Sequence, residues 1–137
     1  MTADRDLSDR EYRALAEFRH ALRRFQSFSE EAAREVGLTP SRHQLLLAIR
    51  GFPGPEPPST SDVAESLQLR LHSAGELVAR AEAHGLVTRR SDPADARRSL
   101  LSLTAAGQRV LSGLSRLHRE ELRRFRAEMA DILDELG

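Results

Sequence analysis

The residues best suited to chemistry in this chain lie between Ser91 and Arg98, where aspartates and arginines surround a proline. Pro93 and the neighbouring aspartates favour a tight turn, so Asp95 and Arg97 are expected at or beside its tip. An arginine carries a planar fork of donors that matches phosphate oxygens and guanine edges in two-point contacts. The segment therefore predicts an exposed hairpin, bearing arginines, that is suited to contacting nucleic acid.

Short strands at 86–90 and 99–103 are expected to form this hairpin, and Thr104 is expected to cap the helix that follows it. Upstream, one of the hydroxyl residues at 59–61 would cap a short helix over 62–67. Residues 68–70 turn the chain into a second helix over 71–84, which Gly85 would end in the left-handed conformation. The pattern predicts a helix-turn-helix followed by a β-hairpin wing.

A further helix is expected before this unit, because Thr39 can cap free amides and Pro40 fits a first helical turn. It would end at Gly51, before the proline-rich sequence GFPGPEPPST, which cannot be helical. The fold class is therefore mostly α with a small β-hairpin wing (α+β), in one domain spanning 1–137 whose winged helix-turn-helix covers 38–107.

Long helices at 8–36 and 108–137 are predicted from apolar residues that recur every three or four positions. A single small domain can cover only part of such stripes, and a large uncovered apolar patch usually marks a partner surface. We therefore expect homodimerisation through the two ends. The alternative is that both ends fold back on the middle of their own chain.

Charge and composition exclude several kinds of site but do not identify the function. The chain carries 21 basic and 21 acidic residues, and its region 59–104 is balanced too, so only the positions of the charges can favour DNA. The absence of cysteine excludes disulfides, thiolate metal sites and thiol redox sensing. No apolar run approaches the roughly 18 to 20 residues of a membrane span, and the start lacks an export signal, so a cytoplasmic protein is expected.

Catalytic motifs are not recognisable. The five histidines are scattered, and there is no H-E-x-x-H sequence, glycine-rich phosphate loop or dinucleotide signature. His118 and Glu121 stand three residues apart, which is typical of an ordinary pair on a helix surface. We therefore expect neither an enzyme nor a metal or cofactor site.

Three segments, in order, resemble the multiple antibiotic resistance regulator (MarR) family of winged-helix regulators: LTPSRHQLLLAI, DVAESLQLRLHSAGELVARAEAHGLVTR and DPADARRSLLSLTAAG. The resemblance covers the chain from about Leu15 onward. It implies a homodimer that binds a pseudo-palindromic double-stranded DNA operator, with recognition helices in major grooves and wings in minor grooves. It also implies a repressor that a small-molecule effector releases from DNA.

The resemblance assigns residue roles as well. In the recognition helix His72, Ser73 and Glu76 would face the bases, with Glu76 either accepting from a cytosine or pointing away. In the wing, Arg97 matches the minor-groove arginine and Asp95 the acid that holds it. Arg70 and Arg80 flank the base-facing residues. The expected contacts with the DNA backbone are Ser41, Arg42, Arg90 and Arg98, and the expected lining of an effector pocket is Phe25, Phe28, His43 and Arg50.

Three positions depart from the family pattern. Ala96 replaces a common arginine, which weakens the expected wing grip, and Ala81 replaces a leucine, so packing beneath its helix should be thinner or filled from elsewhere. Gly75 lies inside the recognition helix, where it either permits close approach to DNA or loosens the helix. Ala96 and the neutral charge leave open an alternative function, a helical dimer that acts as a protein-interaction module and binds DNA weakly or not at all.

Overall fold

The computed structural model describes residues 5–137, which form five helices and one antiparallel pair of strands. The elements in chain order are α1 (Asp9–Glu35), α2 (Pro40–Arg50), α3 (Thr60–Leu67), α4 (Leu71–Ala83), β1 (Val87–Asp92), β2 (Asp95–Leu103) and α5 (Ala105–Leu136). This is the predicted α+β fold class, with helices in every stretch where the sequence indicated one. No helix within 5–137 combines the length and apolarity needed to span a bilayer.

The described chain divides into two compact units, one made of residues 5–32 with 116–137 and the other of residues 33–115. The second unit contains α2, α3, α4 and the hairpin. Its core is aliphatic, and its largest fully buried side chains are Leu45, Leu46, Leu101, Leu114, Val63, Val78 and Val87. That core holds the helix-turn-helix and the hairpin together.

Local capping explains where the short helices begin. The Thr39 hydroxyl accepts the backbone N–H of Arg42 at 3.2 Å, and Pro40 takes the first position of α2 as expected. Ser59 caps α3 in a reciprocal box, because its hydroxyl accepts from the Asp62 amide and the Asp62 carboxylate accepts from the Ser59 amide. Ser59 is therefore the cap among the three hydroxyl residues that the sequence offered.

The turn between α3 and α4 is set by Gln68, which adopts the left-handed conformation with φ of 55°. Gln68 is the only residue other than glycine with positive φ in the described chain. At the other end of α4, Gly85 has φ of 74°, as predicted, and the Leu86 amide donates to the Ala81 carbonyl. Helix α4 is thus flanked by two left-handed residues.

The strands are longer than the sequence indicated, and the turn is shorter. Pairing runs from Val87 opposite Leu103 to Ser91 opposite Ser99, and only Pro93 and Ala94 form the turn. The Asp92 carboxylate accepts the Ala94 amide at 2.9 Å, which closes the hairpin tightly. The polar residues beside the turn hid these strand ends from sequence analysis, because they show no apolar alternation.

A bulge interrupts the outer part of the hairpin. Ser91 pairs with Ser99 but Asp92 pairs with Asp95, so residues 96–98 of β2 have no partner on β1. Bulges of this kind bend a strand and re-aim its side chains. On the other edge of β2, Leu100 bridges to Ser59 and the Leu101 amide donates to Pro58, which ties the proline-rich loop to the sheet.

The end of the hairpin and the start of α5 meet at one close contact. The Thr104 hydroxyl donates to the Gly85 carbonyl at 2.6 Å and accepts the Gly107 amide at 3.0 Å, which confirms Thr104 as the cap of α5. A Cβ atom at Gly107 would lie 2.2 Å from the Leu86 carbonyl oxygen. Gly107 therefore allows the first turn of α5 to lie directly against the backbone at Leu86.

The first unit pairs the N-terminal part of α1 with the C-terminal part of α5. Ala14, Ala21 and Ile132 are buried there, with Phe18, Phe125, Met129 and Leu136 packed around them. Ion pairs join Arg10 to Glu135 and Arg24 to Glu128, and the hydrogen bond from Arg10 lowers the pKa of the Glu135 carboxyl. Several large apolar side chains of this unit stay exposed: Leu7, Tyr12, Leu15, Leu117, Leu122 and Leu133.

Replacing Gly107 by alanine is expected to destabilise the protein by about 1–3 kcal/mol, because a Cβ must displace backbone rather than a flexible side chain. Urea unfolding measures the effect. The matched control is Gly113→Ala on the same helix, where a Cβ meets nothing within 4 Å and the better helix former should add up to about 1 kcal/mol. Equal effects of the two substitutions would contradict the close contact.

Candidate nucleic-acid interface

Helix α4 buries one face and presents the other to solvent. Ala74, Val78 and Ala81 are buried, and Ala81 is fully covered, so the expected thinner packing leaves no exposed gap at that position. The three residues expected to read bases, His72, Ser73 and Glu76, all lie on the exposed face. The structure therefore brings these three residues to one accessible surface.

His72 and Glu76 interact with each other on this surface. The His72 Nε2 atom lies 3.2 Å from the Glu76 carboxylate, one helical turn away, and both side chains are largely exposed. Gly75 lies between them in sequence, and a Cβ there would meet nothing within 4 Å. The protein's own packing therefore does not require a glycine at this position.

The beginning of α4 is left open to a ligand. Arg70 occupies the N-cap position without a side-chain cap, and the first turn holds no acidic residue. This contrasts with α3, whose amides are capped by Ser59 and whose first turn carries Asp62. Free amides and the positive end of the helix dipole favour an anionic group such as phosphate.

The wing tip is organised by Asp95. Its carboxylate accepts the backbone amide of Arg97 at 3.0 Å and lies 3.3 Å from the Arg97 Nε atom. The first bond is the local turn that aspartate makes with the backbone two residues ahead. The Arg97 side chain is 92% exposed, so the predicted pairing of Asp95 with Arg97 is present and leaves the guanidinium in solvent.

The remaining arginines of the region fall into two groups. Arg89 and Arg98 form ion pairs, Arg89 with Glu82 and Arg98 with both Asp62 and Asp92. Arg70, Arg80 and Arg90 are exposed and form no ion pair with any residue between 5 and 137. The region has as many acidic as basic residues, but these three arginines are free to contact a ligand.

The start of α2 offers a smaller contribution. Ser41 is exposed and Arg42 is half-buried in the first turn, which contains no acidic residue. The Thr39 hydroxyl already accepts a hydrogen bond from the backbone amide of Arg42. A backbone contact through the Ser41 and Arg42 side chains is compatible with this geometry.

The four residues expected to line an effector pocket lie in different settings. In the first unit, Phe25 and Phe28 approach the His118 ring at centroid distances of 6.2 and 5.5 Å, and His118 hydrogen-bonds the Ser29 hydroxyl at 2.8 Å. In the second unit, His43 is buried within α2. Arg50 is exposed at the end of α2.

Arg50 borders an open cleft of about 480 Å³ between the proline-rich loop and the junction of β2 with α5. Ile49, Phe52, Leu103 and Gln108 line it as well. The cleft is therefore a feature of the second unit alone.

Sequence reasoning missed two features of this surface. Leu71 is 58% exposed in the first turn of α4, beside the predicted base-reading residues, although the sequence marked it only as the helix start. The bulge at 96–98 was also missed, and its one sequence signal is the aspartate two residues before Arg97. Among residues 5–137, no cluster of histidine and carboxylate side chains is arranged to hold a metal ion.

Comparisons with known proteins agree with this geometry. A family model described as the MarR family matches residues 36–98. Transcriptional regulator HosA of Escherichia coli O111:H- is 37% identical to the chain over 95 residues, which are 68% of each protein.

Solved structures share the fold. AbsC, a MarR family transcriptional regulator from Streptomyces coelicolor, superimposes with a TM-score of 0.72 at 23% identity over 88% of this chain and 81% of AbsC. The MepR–DNA complex from S. aureus gives a TM-score of 0.70 at 18% identity, with 81% of this chain and 80% of MepR covered. The 37% identity to HosA over 68% of each protein, together with the matching family model, establishes that the chain belongs to the MarR family of transcriptional regulators.

Proposed function

We propose that this protein binds a pseudo-palindromic DNA operator as a homodimer, with α4 in the major groove and the wing in the adjoining minor groove. One observation carries the proposal: the exposed face of α4 and the exposed Arg97 both belong to one compact unit built around a common core. Selection from random-sequence duplexes tests it, and half-sites about one helical turn apart are expected. Recovery of no preferred sequence would contradict it.

The distribution of charge supports this proposal despite the neutral total. Acidic residues near the wing are held by Arg89 and Arg98, while Arg70, Arg80, Arg90 and Arg97 keep their guanidinium groups in solvent. Phosphate contacts need accessible cations rather than a net positive chain. The open start of α4 adds backbone amides to this surface.

Base reading would come from the first two turns of α4. Ser73 and His72 offer hydrogen bonds to base edges, and the exposed Leu71 offers an apolar surface that fits a thymine methyl group. MepR was solved as a DNA complex, and the shared fold supports the same general use of the helix here. Repression, with release by a small-molecule effector, stays a prediction from the family resemblance.

Dimerisation is supported by the apolar surface of the first unit. Leu117, Leu122 and Leu133 are each about half exposed there, a larger uncovered set than a small solitary unit normally keeps. The predicted apolar stripes are thus only partly covered by the chain's own residues. A second copy of the same surface is the partner that the proposal requires.

Arg97→Ala is expected to weaken binding to a duplex selected by the native protein by roughly tenfold, because the wing loses its exposed cation. Fluorescence anisotropy at fixed salt measures the loss, and light scattering should show an unchanged dimer. Arg19→Ala removes an equally charged, exposed residue of α1 and serves as the control. An unaltered titration curve for Arg97→Ala would count against the wing assignment.

Leu133→Glu is expected to convert the dimer into a monomer, because it places a charge on the exposed apolar surface of α5 without creating a cavity. Light scattering after size exclusion reads the mass. Leu47→Glu on α2 changes a leucine of similar exposure, 51% against 58%, and should leave the dimer intact. A dimeric Leu133→Glu protein would contradict this interface.

Gly75→Ala is expected to raise stability by about 1 kcal/mol, since alanine favours a helix and a Cβ meets open space within the chain. The same change should weaken DNA binding, because the bare backbone permits close approach of a ligand. Thermal unfolding and anisotropy separate the two effects. Tighter or equal DNA binding by the stabilised protein would mean that the glycine serves no contact.

A further inference from the structure

Arg98 lies in the bulge of β2 and reaches two carboxylates on two other elements. Its Nη2 atom is 3.4 Å from Asp62 Oδ2 in the first turn of α3, and its Nη1 atom is 3.6 Å from Asp92 Oδ2 at the end of β1. The guanidinium fork therefore spans from the wing to the helix-turn-helix. A lysine could not do this as well, because its ammonium is a single point of charge.

Both carboxylates are fixed by the backbone around them. Asp62 Oδ2 also accepts the Ser59 amide at 2.9 Å, so it belongs to the capping box of α3. Asp92 Oδ1 accepts the Ala94 amide at 2.9 Å, and the Asp92 side chain is only 8% exposed. Arg98 is thus held between two anchored groups rather than between flexible surface side chains.

Arg97, the adjacent residue, has the opposite setting. Its one carboxylate partner in the described chain is Asp95, two residues away within the same bulge, and its side chain is 92% exposed. Nothing in that local pair fixes the direction of the wing relative to α3 or α4. A two-stranded hairpin is at best marginally rigid by itself, so its tip needs a tie to the rest of the domain.

We propose that Arg98 is a positioning residue, which ties the wing to the start of α3 and so sets where Arg97 meets DNA. The proposal rests on the proposed function and revises the expectation that Arg98 contacts the DNA backbone. The Arg98 side chain is 45% exposed, so solvent screens its charge even though Asp92 is buried, and the effect on wing geometry should exceed the effect on the unfolding midpoint. Asp62 and Asp92 then strengthen DNA binding, although they are acidic.

Replacing an aspartate partner of Arg98 by asparagine distinguishes this role from a phosphate contact, because the two roles predict opposite changes in DNA affinity. If Arg98 bound phosphate, Asp92→Asn would release it and remove a repulsive charge, so binding to the selected duplex would tighten. If Arg98 positions the wing, Asp92→Asn should weaken binding severalfold, and Asp62→Asn should do the same. Asparagine can still accept the amide hydrogen bonds of both sites.

Glu65→Gln is the matched control for charge, because Glu65 is an exposed acid on α3 that forms no ion pair with another described residue. It removes the same charge from the same helix without touching Arg98. Its binding should be unchanged or slightly tighter. Weaker binding by Glu65→Gln as well would mean that α3 tolerates no charge change, and would remove the support that Asp62→Asn gives.

The salt dependence of DNA binding and the energetic coupling between Arg97 and Arg98 distinguish this role from a general loss of stability. Arg98→Ala should weaken binding and lower the slope of log affinity against log salt no more than Arg97→Ala does, because the contact it disturbs is that of Arg97. If Arg98 bound phosphate itself, adding Arg98→Ala to Arg97→Ala would lower the slope by about 1 more. In the Arg98→Ala background, Arg97→Ala should cost much less than its roughly tenfold effect in the native protein. Additive losses, with a slope in the double variant about 1 below that of Arg97→Ala, would overturn the proposal.

Hydrogen exchange without DNA tests the tie independently of the proposed function. The Ala94 and Arg97 amides, which donate to Asp92 and Asp95, should exchange faster in Arg98→Ala, and the Arg97 amide also in Asp92→Asn, while amides of α4 and the urea midpoint stay near native values. Unchanged exchange at the wing would overturn the tie even if DNA binding fell. Faster wing exchange in a protein that selects no DNA sequence would instead refute the proposed function and leave the tie standing.

Discussion

The second unit depends on a close backbone contact where four elements meet. The Thr104 amide donates to the Leu86 carbonyl, and its hydroxyl donates to the Gly85 carbonyl. The first turn of α5 lies against the Leu86 carbonyl at Gly107. These bonds join the end of α4, both strands of the wing and the start of α5 within a few residues. The angle between α4 and the hairpin is therefore fixed at one end by contacts of backbone atoms.

The other end of the wing is held by the ion pairs of Arg98 with Asp62 and Asp92. Such internal pairs explain how a region with no net charge can still present cations to DNA. Aspartates at 62, 92 and 95 accept backbone amides and arginine side chains, so their negative charge is used inside the protein. The arginines without such partners remain available on the surface. The net charge of zero conceals this arrangement, because aspartates are held by backbone amides and arginines while Arg70, Arg80 and Arg90 stay exposed outside any ion pair, so the total alone does not identify the partner.

Much of the fold could be predicted because its boundaries depend on local chemistry. Thr39, Gly85 and Thr104 act as the sequence indicated, since capping and left-handed turns involve residues only a few positions apart. The bulge and the partners of Arg98 could not be found in this way. They depend on strand register and on a contact between residues 36 positions apart in the chain, and neither leaves a periodic pattern. The exposure of Leu71 could not be predicted either, because it depends on which face of α4 packs against the core.

The bulge has a consequence for how such a protein changes over evolutionary time. Residues at 96 and 97 lie outside the strand ladder, so their side chains can be exchanged without breaking a cross-strand pair or opening the core. Ala96, where the family resemblance led us to expect an arginine, is exposed in this stretch. If the wing tip meets DNA as proposed, single substitutions there can alter the preferred DNA sequence at little cost to folding, because the strand pairs and the core stay intact.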